Sequence, residues 1–147
     1  MLVSDGSSAN PILAPFQPAT ANYAIEAEVR IDATDYNNYF ALVARLTQNG
    51  FYGAGDSWPS SCSATGYVDA WDSSNKYHDV AGANNTPDPG HGWHTYRLEI
   101  KDNKITFSFD GSVLVSANDN RYLDAGQVGL LTSGVQLSVR SFKVIAL

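Results

Sequence analysis

Trp93-His-Thr-Tyr-Arg-Leu-Glu-Ile-Lys101 alternates without a break: Tyr96, Leu98 and Ile100 fall on one side, Thr95, Arg97, Glu99 and Lys101 on the other. Asp102-Asn103 suits a tight turn, and Lys104-Ile-Thr-Phe-Ser-Phe109 resumes the alternation with Ile105, Phe107 and Phe109 in phase. Asp110-Gly111 then marks a hairpin, because these residues accept the positive φ that a two-residue connection requires. A period of two carried through consecutive segments means half-buried antiparallel sheet.

The same rhythm recurs elsewhere in the chain. Asn22 to Asp32 reads as a strand with Tyr23, Ile25, Ala27, Val29 and Ile31 on one face. Tyr39 to Thr47 is apolar on both faces, as expected of a central strand, with Tyr39, Ala41, Val43 and Arg45 sharing one row. Phe51 to Ser57, Thr65 to Trp71, Lys76 to Val80, Ser112 to Ser116 and Gln127 to Thr132 are further strands. In the closing strand, Val135 to Leu147, the parity slips after Val139, which predicts a β-bulge at Arg140-Ser141. Met1 to Ser4 and the proline-rich Pro11 to Pro18 suit edge positions, with Ile12 and Leu13 tucked under the core. No segment sustains helical periodicity, although Tyr122-Leu-Asp-Ala125 has room for one turn. Many short strands and frequent turns predict an all-β fold of two packed antiparallel sheets. Trp93, Tyr96, Phe107 and Phe109 are assigned to its core.

With 147 residues, 44% of them hydrophobic, the chain is expected to form one domain spanning residues 1–147. Nine Lys and Arg against fifteen Asp and Glu give a net charge of −6, with no basic run. Phosphate backbones and anionic membrane surfaces require clustered cations, so nucleic acid is excluded as an expected partner. No apolar run approaches the roughly 20 residues that span a bilayer as a helix. Met1-Leu-Val-Ser-Asp lacks the charged and apolar regions of a signal peptide. The abrupt start suggests a piece of a longer protein, whose neighbouring domains would be partners. The single cysteine, Cys62, lies in a polar stretch and has no internal disulfide partner.

The segments Tyr96-Arg-Leu-Glu-Ile, Phe107-Ser-Phe-Asp-Gly, Ala125-Gly-Gln-Val-Gly-Leu-Leu and Val139-Arg-Ser-Phe-Lys-Val resemble the concanavalin A-like lectin/glucanase jelly rolls, and within them the laminin-G-like domains. The resemblance is strongest over Trp93 to Leu147 and weakest in the middle of the chain. It implies a jelly-roll sandwich of about a dozen strands. It also implies an extracellular or cell-surface setting, a glycan or polysaccharide partner and, in many members, Ca²⁺. Asp5, Asp32, Asp35 and Asp119 are the carboxylates available for such an ion. Glucanases of this fold carry their acids as Glu-x-Asp-x-x-Glu or Glu-x-Asp-x-Glu on one strand. The corresponding stretch here, Glu26-Ala-Glu28-Val-Arg30, has no central Asp and no third acid. Catalysis is therefore the secondary expectation, as a glycoside hydrolase or polysaccharide lyase, and a structural protein-interaction domain is the third. His78, His91 and His94 lack the cysteine or glutamate company of a zinc site.

The leading expectation is non-catalytic carbohydrate binding or adhesion. Sugar rings stack their C–H faces on aromatic rings while their hydroxyls meet polar side chains. Aromatic residues concentrate in the middle of the chain, from Tyr36 to Tyr77. Tyr39, Arg45, Trp58, Asp69 and Trp71 are the candidate ligand-binding residues, because Arg45 shares the row of Tyr39 and Asp69 shares a face with Trp71.

Overall fold

A computed structural model describes residues 2–3, 10–34, 37–58, 64–83 and 86–147. Cys62, Asp5, Asp35 and Tyr36 lie outside the described residues. The strands are β1 (Leu2–Val3), β2 (Ile12–Leu13), β3 (Tyr23–Ala33), β4 (Asn38–Thr47), β5 (Gly50–Trp58) and β6 (Thr65–Asp72). They continue with β7 (Tyr77–Gly82), β8 (Trp93–Lys101), β9 (Lys104–Phe109), β10 (Ser112–Asn118), β11 (Gln127–Ser133) and β12 (Gln136–Ala146). The described residues contain no helix. One sheet runs β1-β12-β3-β8-β9-β10, the other β2-β11-β4-β5-β6-β7. All pairs are antiparallel, and the two sheets stack as a jelly-roll sandwich.

The alternating residues sort as their parity dictates. Tyr23, Ile25, Ala27, Val29 and Ile31 of β3 join Tyr96, Leu98, Ile100, Ile105, Phe107 and Phe109 on the inner face of the first sheet. Phe40, Leu42, Tyr52, Ala54, Val68 and Leu130 meet them from the second. The slip in β12 is a register shift between Val139 and Ser141, so the expected bulge is present. Three expectations need correction. Trp93 lies outside the core, on the outer face of the first sheet between the Arg30 and Arg140 guanidiniums, 5.0 and 4.5 Å from its ring centre. This is the face its odd parity with Thr95 and Arg97 requires. Ile12 and Leu13 are 49% and 40% exposed, because β2 is a two-residue edge strand that the sandwich does not cover. Residues 122–125 form no helical turn.

The second sheet has a further apolar cluster on its outer face: Ala41, Val43, Phe51 and Leu131, with Tyr39, Leu46, Tyr67 and Trp71 packed against it. Antiparallel sheets ordinarily present a polar face to water. Apolar patterning on both faces of β4 is what the sequence showed for Tyr39 to Thr47, and the outer cluster is its structural expression.

Candidate functional site

The outer face of the second sheet carries a groove of about 540 Å³ across β4 to β7. Its shape originates in two glycines. On β5 the outward positions include Gly53 and Gly55, opposite Asp69 and Tyr67 of β6 and Val43 and Ala41 of β4. With no side chains there, rings from β6 can cross the strand. The Tyr67 hydroxyl donates to the Phe40 carbonyl on β4 at 3.0 Å. The Trp71 indole lies over Gly53, where a methyl group would sit 3.3 Å from Nε1. Trp71 also stacks on Phe51, with centroids 5.7 Å apart and planes 7° from parallel. Tyr39 and Tyr77 flank it at 6.0 and 5.5 Å. The indole N–H is buried and meets no acceptor.

Polar groups enter the groove from Asn37, Asn38, Ser57, Thr65, Asp69 and Asp79. Asp69 and Asp79 are direct cross-strand partners, so two carboxyl groups stand opposite each other beside the rings. Asp69 is only 9% exposed. Burial, and then the facing Asp79, push its pKa up to about 7. Burial likewise raises the Tyr67 hydroxyl well above the ordinary tyrosine range. The groove is therefore an aromatic trough with an acidic pair on one side, and no Lys, Arg or His lines it among the described residues.

Of the five expected binding residues, Tyr39, Asp69 and Trp71 come together in this groove. Trp58 touches one end of it but is 3% exposed, faces inward and packs on Phe40 with centroids 6.4 Å apart. It is chiefly a core residue, at the end of β5. Arg45 does not reach the groove. The row it shares with Tyr39 holds only for a regular strand, and β4 is irregular between Ala44 and Thr47, with Arg45 itself at φ 53°. That turn carries the side chain into the protein, where it donates to the carbonyls of Ala21, Asp102 and Tyr122 at 2.8–3.1 Å. The reading from parity missed Tyr67, Tyr77 and Asp79. Two glycines alternating on the outward row of β5 were the signal that a ring or ligand approaches there.

The carboxylates considered for catalysis and for calcium are engaged elsewhere. Glu26 pairs with Arg97 at 2.6 Å and Glu28 with Arg140 at 3.0 Å, both on the outer face of the first sheet. Asp32 binds Arg30 and the Ser138 hydroxyl, which together hold its carboxyl below the usual range. Asp119 accepts from the Tyr52 hydroxyl at 2.6 Å and pairs with Arg121. Among the described residues no three His, Cys, Asp or Glu side chains gather as a metal site. The histidines are separate: His78 meets Asp72, His91 meets the Ile31 carbonyl, and His94 lies between Asp110 and the Pro89 carbonyl.

No family model and no curated protein matches the chain. Solved structures do. The carbohydrate binding module CBM66 from Bacillus subtilis superposes with a TM-score of 0.77 at 16% identity, over 97% of this chain and 84% of that one. A tetrameric galectin from the ball sponge Cinachyrella sp. gives 0.69 at 12% identity, over 92% and 98%. A β-1,3-glucanase from Mycobacterium marinum gives 0.59 at 16% identity, over 91% and 66%. At these identities the likeness establishes the architecture, and both binding proteins and an enzyme share it. The chain has the two-sheet antiparallel jelly-roll fold of these structures.

Proposed function

We propose that this protein is a non-catalytic carbohydrate-binding module and that its ligand lies in the groove on the second sheet. The observation that carries the reading is the run of rings Tyr39, Trp71 and Tyr77 beside the Asp69–Asp79 pair. A sugar ring lying on Trp71 would bury its C–H face while Asp69, Asp79, Asn38 and Thr65 meet its hydroxyls. The likeness to a carbohydrate-binding module and a galectin supports the carbohydrate-binding role, and a laminin-G-like domain outside the cell, within a larger protein, fits the same role. The hydrolase alternative has less behind it, because Glu26 and Glu28 are tied to arginines on the opposite sheet.

Affinity electrophoresis through gels containing plant, microbial and animal polysaccharides tests the reading. At least one polysaccharide should retard the protein, and Trp71→Ala should weaken that retardation about tenfold, the equivalent of one good ring contact. Retention unchanged by Trp71→Ala, or no retention on any polysaccharide, would sink it.

A further inference from the structure

The groove's charge balance narrows the kind of glycan. Five arginines have partners elsewhere: Arg30 with Asp32, Arg97 with Glu26 and Glu99, Arg121 with Asp119, Arg140 with Glu28, and Arg45 with three carbonyls. None of the nine Lys and Arg residues lines the groove. Asp69 is thus a nearly buried acid whose facing group is another acid, Asp79, directly across the β6–β7 ladder. Like charges placed opposite each other destabilise a sheet, and a buried carboxylate is costly without a cation or hydrogen-bond donors. A ligand with only hydroxyl groups would donate hydrogen bonds but leave this negative charge unbalanced.

A primary ammonium group would do both. It carries three N–H donors and a positive charge, which suits two carboxyl groups at once. The surrounding rings add to this, since cations are attracted to the faces of Trp and Tyr at distances up to about 6 Å. Tyr39, Tyr67, Trp71 and Tyr77 border the two acids. The net charge of −6 favours the approach of a cationic chain over an anionic one.

Resting on the carbohydrate-binding reading, we propose that the groove selects a glycan bearing free amino groups, a polymer of de-N-acetylated amino sugar, with the ammonium seated between Asp69 and Asp79 and the sugar ring on Trp71. Isothermal titration with three probes tests this: a glucosamine hexasaccharide, its fully N-acetylated counterpart and a neutral glucose hexasaccharide. The amino form should bind about tenfold or more tighter than the other two, the difference expected for one partly desolvated charge pair. Asp69→Asn and, at the exposed partner, Asp79→Asn should each collapse the ratio of amino to N-acetyl affinity toward unity. The Asp79 variant keeps the test valid if replacing the buried Asp69 impairs folding. Equal affinity for all three probes, each lost in Trp71→Ala, would overturn the inference and leave the carbohydrate-binding reading intact. A lysine hexapeptide binding as tightly as the amino sugar would overturn it too, since charge alone would then explain the preference. Failure of all three sugars to bind, with a polysaccharide still retarding the protein in the electrophoresis, would overturn the inference alone; the carbohydrate-binding reading falls only if that retention is absent as well.

Discussion

Among the described residues Arg45 is the largest fully buried side chain, and its guanidinium ties together three segments far apart in sequence. Its partners are carbonyl oxygens at Ala21, Asp102 and Tyr122, all of which lose their donor if the side chain is removed. Burial lowers its pKa, so the cation is held by hydrogen-bond geometry rather than by a facing acid. Replacing Arg45 with Met should cost about 3 kcal/mol or more, because several buried acceptors lose their donor at once. Arg45→Lys should recover only part of that loss, since an ammonium cannot fork toward three carbonyls as a guanidinium does. Thermal denaturation of the three proteins checks the order, and the folded fraction of each variant should bind glycan with unchanged affinity. A loss of affinity without a loss of stability would return Arg45 to the binding face. The residue also marks where reading by parity stops. The slip near Arg140 was legible because apolar residues change phase on either side of it. The irregularity at Arg45 leaves no such trace, because its distinguishing feature is a positive φ on a residue that carries no turn signature.

At the scale of the strand, the groove depends on which positions of β5 lack a side chain. Gly53 and Gly55 both lie on the outward row of β5, yet they should respond differently to a methyl group. At Gly53 the added Cβ would meet Ala41 Cβ and Trp71 Nε1, each at 3.3 Å, and the indole can tilt away. Gly53→Ala should therefore change stability by less than about 1 kcal/mol, the sheet gaining from a stiffer chain what it loses in packing, while glycan affinity falls as Trp71 moves. At Gly55 the Cβ would lie 1.9 Å from the Phe40 carbonyl oxygen, a backbone atom with no freedom to retreat. Gly55→Ala should cost about 2–3 kcal/mol through strand displacement. Chemical denaturation and titration on the same samples separate the two effects, and comparable stability losses at both sites would refute the assignment. Period-two alternation made β6 readable, which is why Asp69 and Trp71 were paired correctly from sequence. Asp79 was not readable as their neighbour, because the alignment of β7 against β6 contains a shift between Val68 and Asp69 that no local pattern announces.

Across the whole molecule, the two sheets close around one acid. Asp56 is fully buried between them, accepting from the Tyr96 hydroxyl at 3.1 Å through one oxygen while the other has no partner. Alternation predicted the two sheets and most of this interior, but Asp56 sits in the inward row of β5 where a hydrophobic residue would be expected. Burial pushes its pKa up to about 7; the Tyr96 hydrogen bond opposes that rise, Asp88 adds to it and His94 opposes it. The native state therefore keeps a proton that the unfolded chain releases near its ordinary value of about 4. Stability from this group is complete below that value, declines as pH rises toward about 7 and is level above it. Asp69, which burial and the facing Asp79 also raise to about 7, acts in the same direction. Asp32, whose carboxyl is held low, acts the opposite way, and only at acid pH. The melting temperature should accordingly fall between pH 5 and pH 8. Asp56→Asn keeps an acceptor for Tyr96 and carries no charge, so it should flatten that slope and gain on the parent by a few kcal/mol at pH 8, roughly the cost of ionising one buried carboxyl. Calorimetric scans of both proteins across this range supply the comparison, and parallel curves would show that the acid between the sheets does not govern the profile.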